Sequence, residues 1–403
     1  MPYFRTAWLL PVSQPPIRDA WLRTDRGRIV AFGHSRPGDF TASDEVDLGD
    51  VVVMPGLVNA HTHLELSWMR GRVPEHDLFD RWIRRVIELK KDAGADEVVR
   101  AIEEAIREAR GFGTVLVGDI TNTLASSRPL REQGMAGVVF HELLGFRRED
   151  ATALMQEAAA RLEQEPASDR LRHALAPHAP YSVSPALFGL IRAALQRDPF
   201  GRSSVHLGEA ASEIEFLERG SGPCRDGLER MGKWDASWVA PQCDPVEYLD
   251  RMGFLDDRIL VVHGVQFGEA ALARLATKGV TLVTCPRGNI RTGAGRPPID
   301  EFFASGVTVA VGTDSLASVP DLNIFAELRE MRRLAPAVPA RALLESATIN
   351  GARALGFEAD FGTIDSGKQD ALVAVQLDGY VPNVEEYLVE GIDAAQISWL
   401  VGS

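Results

Sequence analysis

His61-Thr62-His63 follows directly on an apolar run, Val51 to Ala60, in this chain of 403 residues. Residues i and i+2 of a β-strand face the same side. A strand through Leu57 and Val58 therefore delivers both imidazoles to one point and turns Thr62 away. Two neutral imidazoles converging there are the first ligands a zinc-like cation needs. Three more apolar runs end in comparable residues. Residues 203–209 carry His206 and Glu209, residues 259–264 carry His263, and residues 308–314 end in Asp314. His61, His63, His206 and Asp314 together offer three nitrogens and a carboxylate oxygen, a hydrolytic metal set with a position open for water.

Metal coordination lowers the pKa of water to about 7. Asp314 can accept that water's proton. His263 can hydrogen-bond the water or polarise the electrophile; its alternative is a satisfied core histidine. Glu209, three residues beyond His206, can move a proton to a leaving nitrogen, as the non-ligand glutamate of the zinc nucleobase deaminases does. It could instead be a helix-start carboxylate against backbone N–H groups. The lysines are Lys90, Lys91, Lys233, Lys278 and Lys368, and none falls in a strand candidate. The bridging lysine of a two-metal barrel site is thus missing. One divalent ion per chain is expected, zinc first, with iron and manganese also accepting this ligand set.

Elements that could position these residues recur along the middle of the chain. Strand candidates lie at 56–63, 114–122, 136–145, 173–183, 203–209, 259–265, 281–289 and 308–314. Amphipathic stretches at 97–109 and 150–164 are helical in period. Strands alternating with helices predict parallel βαβ units, and eight of them predict a (β/α)8 TIM-type barrel over 55–355, α/β in class. Ligands at the strand ends fit the catalytic face of such a barrel, and the long connections at 64–113 and 210–258 would shape its pocket. Residues 1–54 and 356–403 carry short β-type runs split by turns, and they are expected to join as a small β-sandwich domain.

Composition bounds the rest. Net charge is −14, with no basic stripe, which argues against a nucleic-acid partner. No apolar stretch approaches the roughly 20 residues of a membrane span, and the first residues lack the core of a signal peptide. Cys224, Cys243 and Cys285 form no CxxC, so a reducing, cytoplasmic setting is expected, with Cys285 the one nearest a pocket. The expected partner is a small-molecule substrate. Oligomeric state is not written in the composition; a homodimer is the commonest closed assembly.

With these residues in place, the chain resembles the amidohydrolase superfamily and its mononuclear deaminase branch over essentially its whole length. The matching motifs are residues 55–63 (PGLVNAHTH), His206 with Glu209, His263, Gly312-Thr313-Asp314, residues 348–356 and residues 367–372. The resemblance implies that His61, His63 and His206 bind metal with Asp314 at the metal and its water. It implies that Glu209 and His263 are the proton shuttle and the water-positioning histidine. Three further runs, Leu64-Glu65-Leu66-Ser67, residues 177–182 (PHAPYS) and residues 285–289 (CPRGN), are similar to aminodeoxyfutalosine deaminases of an alternative menaquinone route. Many relatives carry Ser where Gly288 stands. On that likeness the substrate-facing residues are Glu65, His178 toward purine or ribose, and Arg287 toward a carboxylate. Phe79 and Trp82 on the first long loop would cover a flat ring. A buried structural His178, a surface ion pair for Arg287 and core packing for the two aromatics are the alternatives. The implied reaction replaces the exocyclic amine of an adenine-type nucleoside with oxygen. Adenosylhomocysteine, methylthioadenosine, guanine and s-triazine aminohydrolases are rivals on the same scaffold. A non-catalytic barrel scaffold is a rival of another class, but it needs none of the six polar residues.

Overall fold

The eight apolar runs become eight parallel strands in a computed structural model that describes residues 3–35, 45–75, 78–166 and 168–400. Five strands precede them: β1 (Tyr3–Leu9), β2 (Ile17–Asp25), β3 (Arg28–Gly33), β4 (Glu45–Asp47) and β5 (Val51–Pro55). The parallel set is β6 (Leu57–Thr62), β7 (Thr114–Thr121), β8 (Ala136–Leu143), β9 (Leu171–Pro177), β10 (Ser203–Leu207), β11 (Ile259–His263), β12 (Thr281–Thr284) and β13 (Thr308–Val311). Two more, β14 (Leu372–Gln376) and β15 (Ile397–Trp399), close the chain.

The parallel strands form two four-stranded sheets, β6-β7-β8-β9 and β10-β11-β12-β13. Isolated hydrogen bonds join the sheets at both seams in place of a continuous ladder. His206 N donates to His178 O over 2.8 Å on the β9–β10 side. Thr313 N and Asp314 N both donate to His61 O, each over 3.1 Å, on the β13–β6 side. One apolar cluster, including Val58, Phe140, Ala176, Val262, Val283 and Ala310, draws on both sheets. Several strands are shorter than expected. Residues 286–291 leave the sheet as the helix Pro286–Arg291, because Pro286 supplies no ladder N–H and starts a helix readily.

Helices fill the crossovers where the sequence has helical period. Ala95–Gly111 buries Ile102, Ala105, Ile106 and Ala109, spaced three to four apart, and carries Asp96 and Glu97 in its first turn. Ala151–Leu162 and Pro185–Arg197 follow β8 and β9; Ser184 caps the latter by accepting from Leu187 N. Among the described residues no helix is long and apolar enough to cross a membrane.

Among the described residues the two chain ends share a single sheet, and the expected two-sheet sandwich is not seen there. β15-β14-β5-β1-β2-β3 run side by side, with β4 paired to β1, as one seven-stranded sheet. β5 links the halves by pairing parallel with β1 and antiparallel with β14. Parts of the expected terminal units (1–2, 36–44 and 401–403) lie outside the described residues, as do 76–77 of the first long loop.

Gly312 lets β13 and β6 approach closely. A Cβ there would stand 2.5 Å from His61 O and 2.8 Å from His61 N, and neither backbone atom can retreat cheaply. Gly312→Ala should cost about 1–3 kcal/mol by overpacking and lower the unfolding temperature by a few degrees. A thermal melt on metal-free protein checks this; an unchanged midpoint would mean the strands can part.

Candidate functional site

The six polar residues singled out from the sequence meet at the C-terminal ends of the parallel strands. His61 lies in β6 and His63 one residue past it. His206 lies in β10, and His263 is the last residue of β11. Glu209 and Asp314 sit on the turns after β10 and β13. His263 and Asp314 both have left-handed backbones, φ 80° and 60°. For residues with a Cβ this costs about 1–3 kcal/mol, and it is tolerated where the surroundings over-determine it. Here the Asp314 backbone is tied to β6, since Thr62 Oγ1 donates to Asp314 O over 3.0 Å. Gly208, at φ 63°, makes the turn that brings Glu209 round, with Phe267 packed where a side chain would stand.

The rings lie close enough to share one ion. The His61 ring centroid is 4.9 Å from those of both His63 and His206. His63 Nε2 is 3.2 Å from His206 Nε2 and 3.7 Å from Asp314 Oδ1. Ligands at about 2.0–2.1 Å from a tetrahedral zinc stand about 3.3–3.4 Å apart, so the imidazole pair has the right spacing. His61 is fully buried, and neither of its ring nitrogens has a hydrogen-bond partner. Buried polar atoms are seldom left so. The donor set therefore fits a divalent cation, and His61, His63, His206 and Asp314 are the residues that can hold it.

Protonation suits that use. Burial, then the neighbouring imidazoles, hold His61 and His63 well below the ordinary histidine range. Burial takes His206 to about 4 against the opposing pull of Glu142. Neutral rings are the ligating form. Burial pushes Asp314 up to about 7, although the Ser318 hydroxyl donates to its Oδ2 over 2.9 Å.

Glu209 and His263 stand beside this group. Glu209 Oε1 is 3.6 Å from His263 Nε2. Asn289 Nδ2 lies 2.9 Å from His263 Nδ1; an amide nitrogen only donates, so the ring proton sits on Nε2, toward Glu209. Burial raises the Glu209 carboxyl well above its usual range, and the Asp314 and Glu213 carboxylates add to this. Glu213 in turn accepts Glu209 N–H, fixing the turn.

A cleft of about 590 Å³ opens over these groups, and His63, His178, His206, Glu209, His263 and Asp314 line it. Phe79 and Trp82 form part of its wall from the helix Phe79–Leu89, themselves buried in a cluster with Leu66 and Ala210. His178 stacks obliquely on His206 at 4.8 Å, its Nδ1 2.6 Å from Ser182 Oγ.

Two expected substrate contacts do not reach the cleft. Arg287 turns away: it donates to Glu327 Oε1 (2.7 Å), Asp321 Oδ1 (2.9 Å) and the Asp321 and Asn323 carbonyls. Glu327 is fully buried, and a buried carboxylate needs such a cation. Glu65 accepts from the Thr121 and Thr123 hydroxyls and from Thr123 N, so it braces the turn after β7. Arg147, just after β8, is likewise taken up by ion pairs with Glu149 and Asp150. Of the cysteines it is Cys224, not Cys285, that lines the cleft.

Other cleft residues escaped the sequence reading. Arg84, Lys90, Lys91 and Arg230 bring positive charge to its walls beside the apolar Ile87, Leu144 and Met231. Tyr181 presents a buried hydroxyl with no partner. Glu142 was legible in principle, as a lone carboxylate in the apolar run of β8; the loop cations carried no such signal.

The chain is similar to known proteins over most of its length. The amidohydrolase family profile matches residues 52–396. A 5-methylthioadenosine/S-adenosylhomocysteine deaminase of Moorella thermoacetica is 30% identical over 384 residues, covering 92% of this chain and 84% of the relative. An aminodeoxyfutalosine deaminase of Deinococcus radiodurans is 32% identical over 328 residues, covering 77% and 75%. The crystal structure of a Xanthomonas campestris adenosine deaminase with bound zinc superposes with a TM-score of 0.80 at 26% identity, covering 98% of this chain and 90% of that one.

Proposed function

Because the chain belongs to the amidohydrolase family and is a hydrolytic C–N deaminase, we propose that it deaminates an adenine-type nucleoside with one divalent metal, zinc first. The observation that carries this is the paired His63 and His206 Nε2 atoms, 3.2 Å apart, beside the buried and unpartnered His61 ring. Strands joined at both seams support a (β/α)8 barrel over 55–355, with 1–54 and 356–403 as a small β domain.

His61, His63, His206 and Asp314 would hold the ion, which would supply Lewis acidity and lower the pKa of water. The chain's own groups do the proton work. Asp314, steadied by Ser318, takes the water's proton. Glu209 protonates the ring nitrogen beside the amine-bearing carbon, which makes that carbon electrophilic, and then helps the amine leave as ammonia. His263 donates from Nε2 and orients the incoming oxygen. The overall change is water plus C–NH2 giving C=O plus NH3. Phe79 and Trp82 wall the base, and His178 faces the purine or ribose.

For the distal end, aminodeoxyfutalosine remains the first candidate. Its carboxylate meets Arg84, Lys90, Lys91 or Arg230 rather than Arg287, and its aryl ring meets Ile87, Leu144 and Met231. These cations are exposed, so each pair contributes about 0.2–1 kcal/mol, and two together give a preference of about tenfold. Competitive kinetics of aminodeoxyfutalosine against methylthioadenosine, adenosylhomocysteine, adenosine and guanine should therefore favour the first by about that factor. A preference for methylthioadenosine would keep the nucleoside reading and overturn the carboxylate one. Ammonia release from an s-triazine alone would overturn both.

A further inference from the structure

Glu142, on β8, has no part in the chemistry above, yet it lies against a proposed metal ligand. It is 6% exposed, and its Oε1 is 3.4 Å from His206 Nδ1. That oxygen has no hydrogen-bond partner. The other, Oε2, accepts from Asn122 Nδ2 over 3.0 Å, and Asn122 Oδ1 accepts from Lys90 Nζ over 2.9 Å.

We infer that Glu142 is a positioning residue for His206, itself held by Asn122 and Lys90. The inference rests on the metal reading given above. The two contacts of His206 Nδ1 among the described residues are both acceptors: its hydrogen-bond partner His178 O at 3.3 Å, and Glu142 Oε1 at 3.4 Å. The ring proton is therefore drawn to Nδ1 and the lone pair to Nε2, the atom 3.2 Å from His63 Nε2. A carboxylate set against the far nitrogen of a ligating histidine favours one tautomer and one ring angle, and Glu142 adds its charge to the His178 carbonyl already bonded there. An isolated carboxylate in such surroundings is costly, and here the Asn122 amide, backed by the Lys90 ammonium, and the facing His206 ring offset that cost. The chain also ties the segment after the helix Phe79–Leu89 to the metal site.

Glu142→Gln tests this with little change of shape. Its amide can place an oxygen toward only one of two donors, His206 Nδ1–H or Asn122 Nδ2–H, and must set N–H against the other. Zinc affinity, read by competition with a chromogenic chelator, should fall about 10–100-fold. The visible spectrum of the cobalt-loaded protein should shift, while metal-free thermal stability holds or rises. Asn122→Ala, which frees Glu142, should move affinity the same way and serves if the first variant does not fold. Wild-type affinity and spectrum in Glu142→Gln would overturn the inference. A loss of affinity matched by an equal loss of metal-free stability would also overturn it, since that is a structural effect. His178, Glu142 and His206 lie close enough to suggest a cation site of their own; two metal equivalents in wild type, with one lost on Glu142→Gln, would replace the inference with that site. Failure of the wild-type protein to bind zinc would overturn the metal reading itself.

Discussion

His61→Ala is expected to lose the metal and with it all but background turnover. His61 stands at the centre of the cluster, with three other imidazole centroids within 5.5 Å, and both its nitrogens are buried without another partner. Alanine cannot replace a ligand, and burial leaves water little room to do so. Loss of a residue behind the ligands already costs about 10–100-fold in affinity, so loss of a ligand should exceed 100-fold. Elemental analysis should give close to one equivalent in wild type and almost none in the variant, with ammonia release falling in parallel. A variant that kept its metal and its rate would remove His61 from the site. A second tightly held equivalent required by wild type would sink the one-metal reading.

Glu209→Gln should separate chemistry from metal binding. Glu209 lies off the metal group, 3.6 Å from His263 Nε2, and its backbone is fixed by Glu213 and by Gln266 Nε2, which donates to Glu209 O over 3.3 Å. Glutamine preserves those backbone contacts but cannot exchange a proton. A general acid–base group contributes about 10²–10⁴-fold, so kcat should drop by that factor. Metal content should stay near one equivalent, and KM should change little. Near-normal turnover would pass the proton-transfer role to Asp314, whose carboxyl is also raised, to about 7.

The cluster of polar side chains at the strand ends was readable because nearly all of them close an apolar run. Period-two alternation and burial are local properties, and the termini of parallel strands share one face, so separate runs could be placed together from spacing alone. His61, His63, His206, His263 and Asp314 all followed this rule, and Glu209 needed only the short turn beyond β10. Helices 95–111 and 151–162 were legible for the same reason.

The far end of the cleft carried no such local mark. Arg287 has the chemistry to bind a carboxylate, but Glu327, forty residues later, is buried beside it and takes its guanidinium. Glu65 was claimed likewise by Thr121 and Thr123. The cations that do line the cleft come from the first long loop and from the helix Pro223–Arg230, whose seating depends on contacts far apart in the chain. The chain ends became one sheet because β5 found a partner on each side, in β1 and in β14. Which polar side chains gather at the mouth of the cleft was thus determined by the sequence, through short-range patterning at strand ends. Which charges stay free to meet a substrate was decided by the tertiary structure alone, because a buried carboxylate takes whichever cation the fold brings beside it.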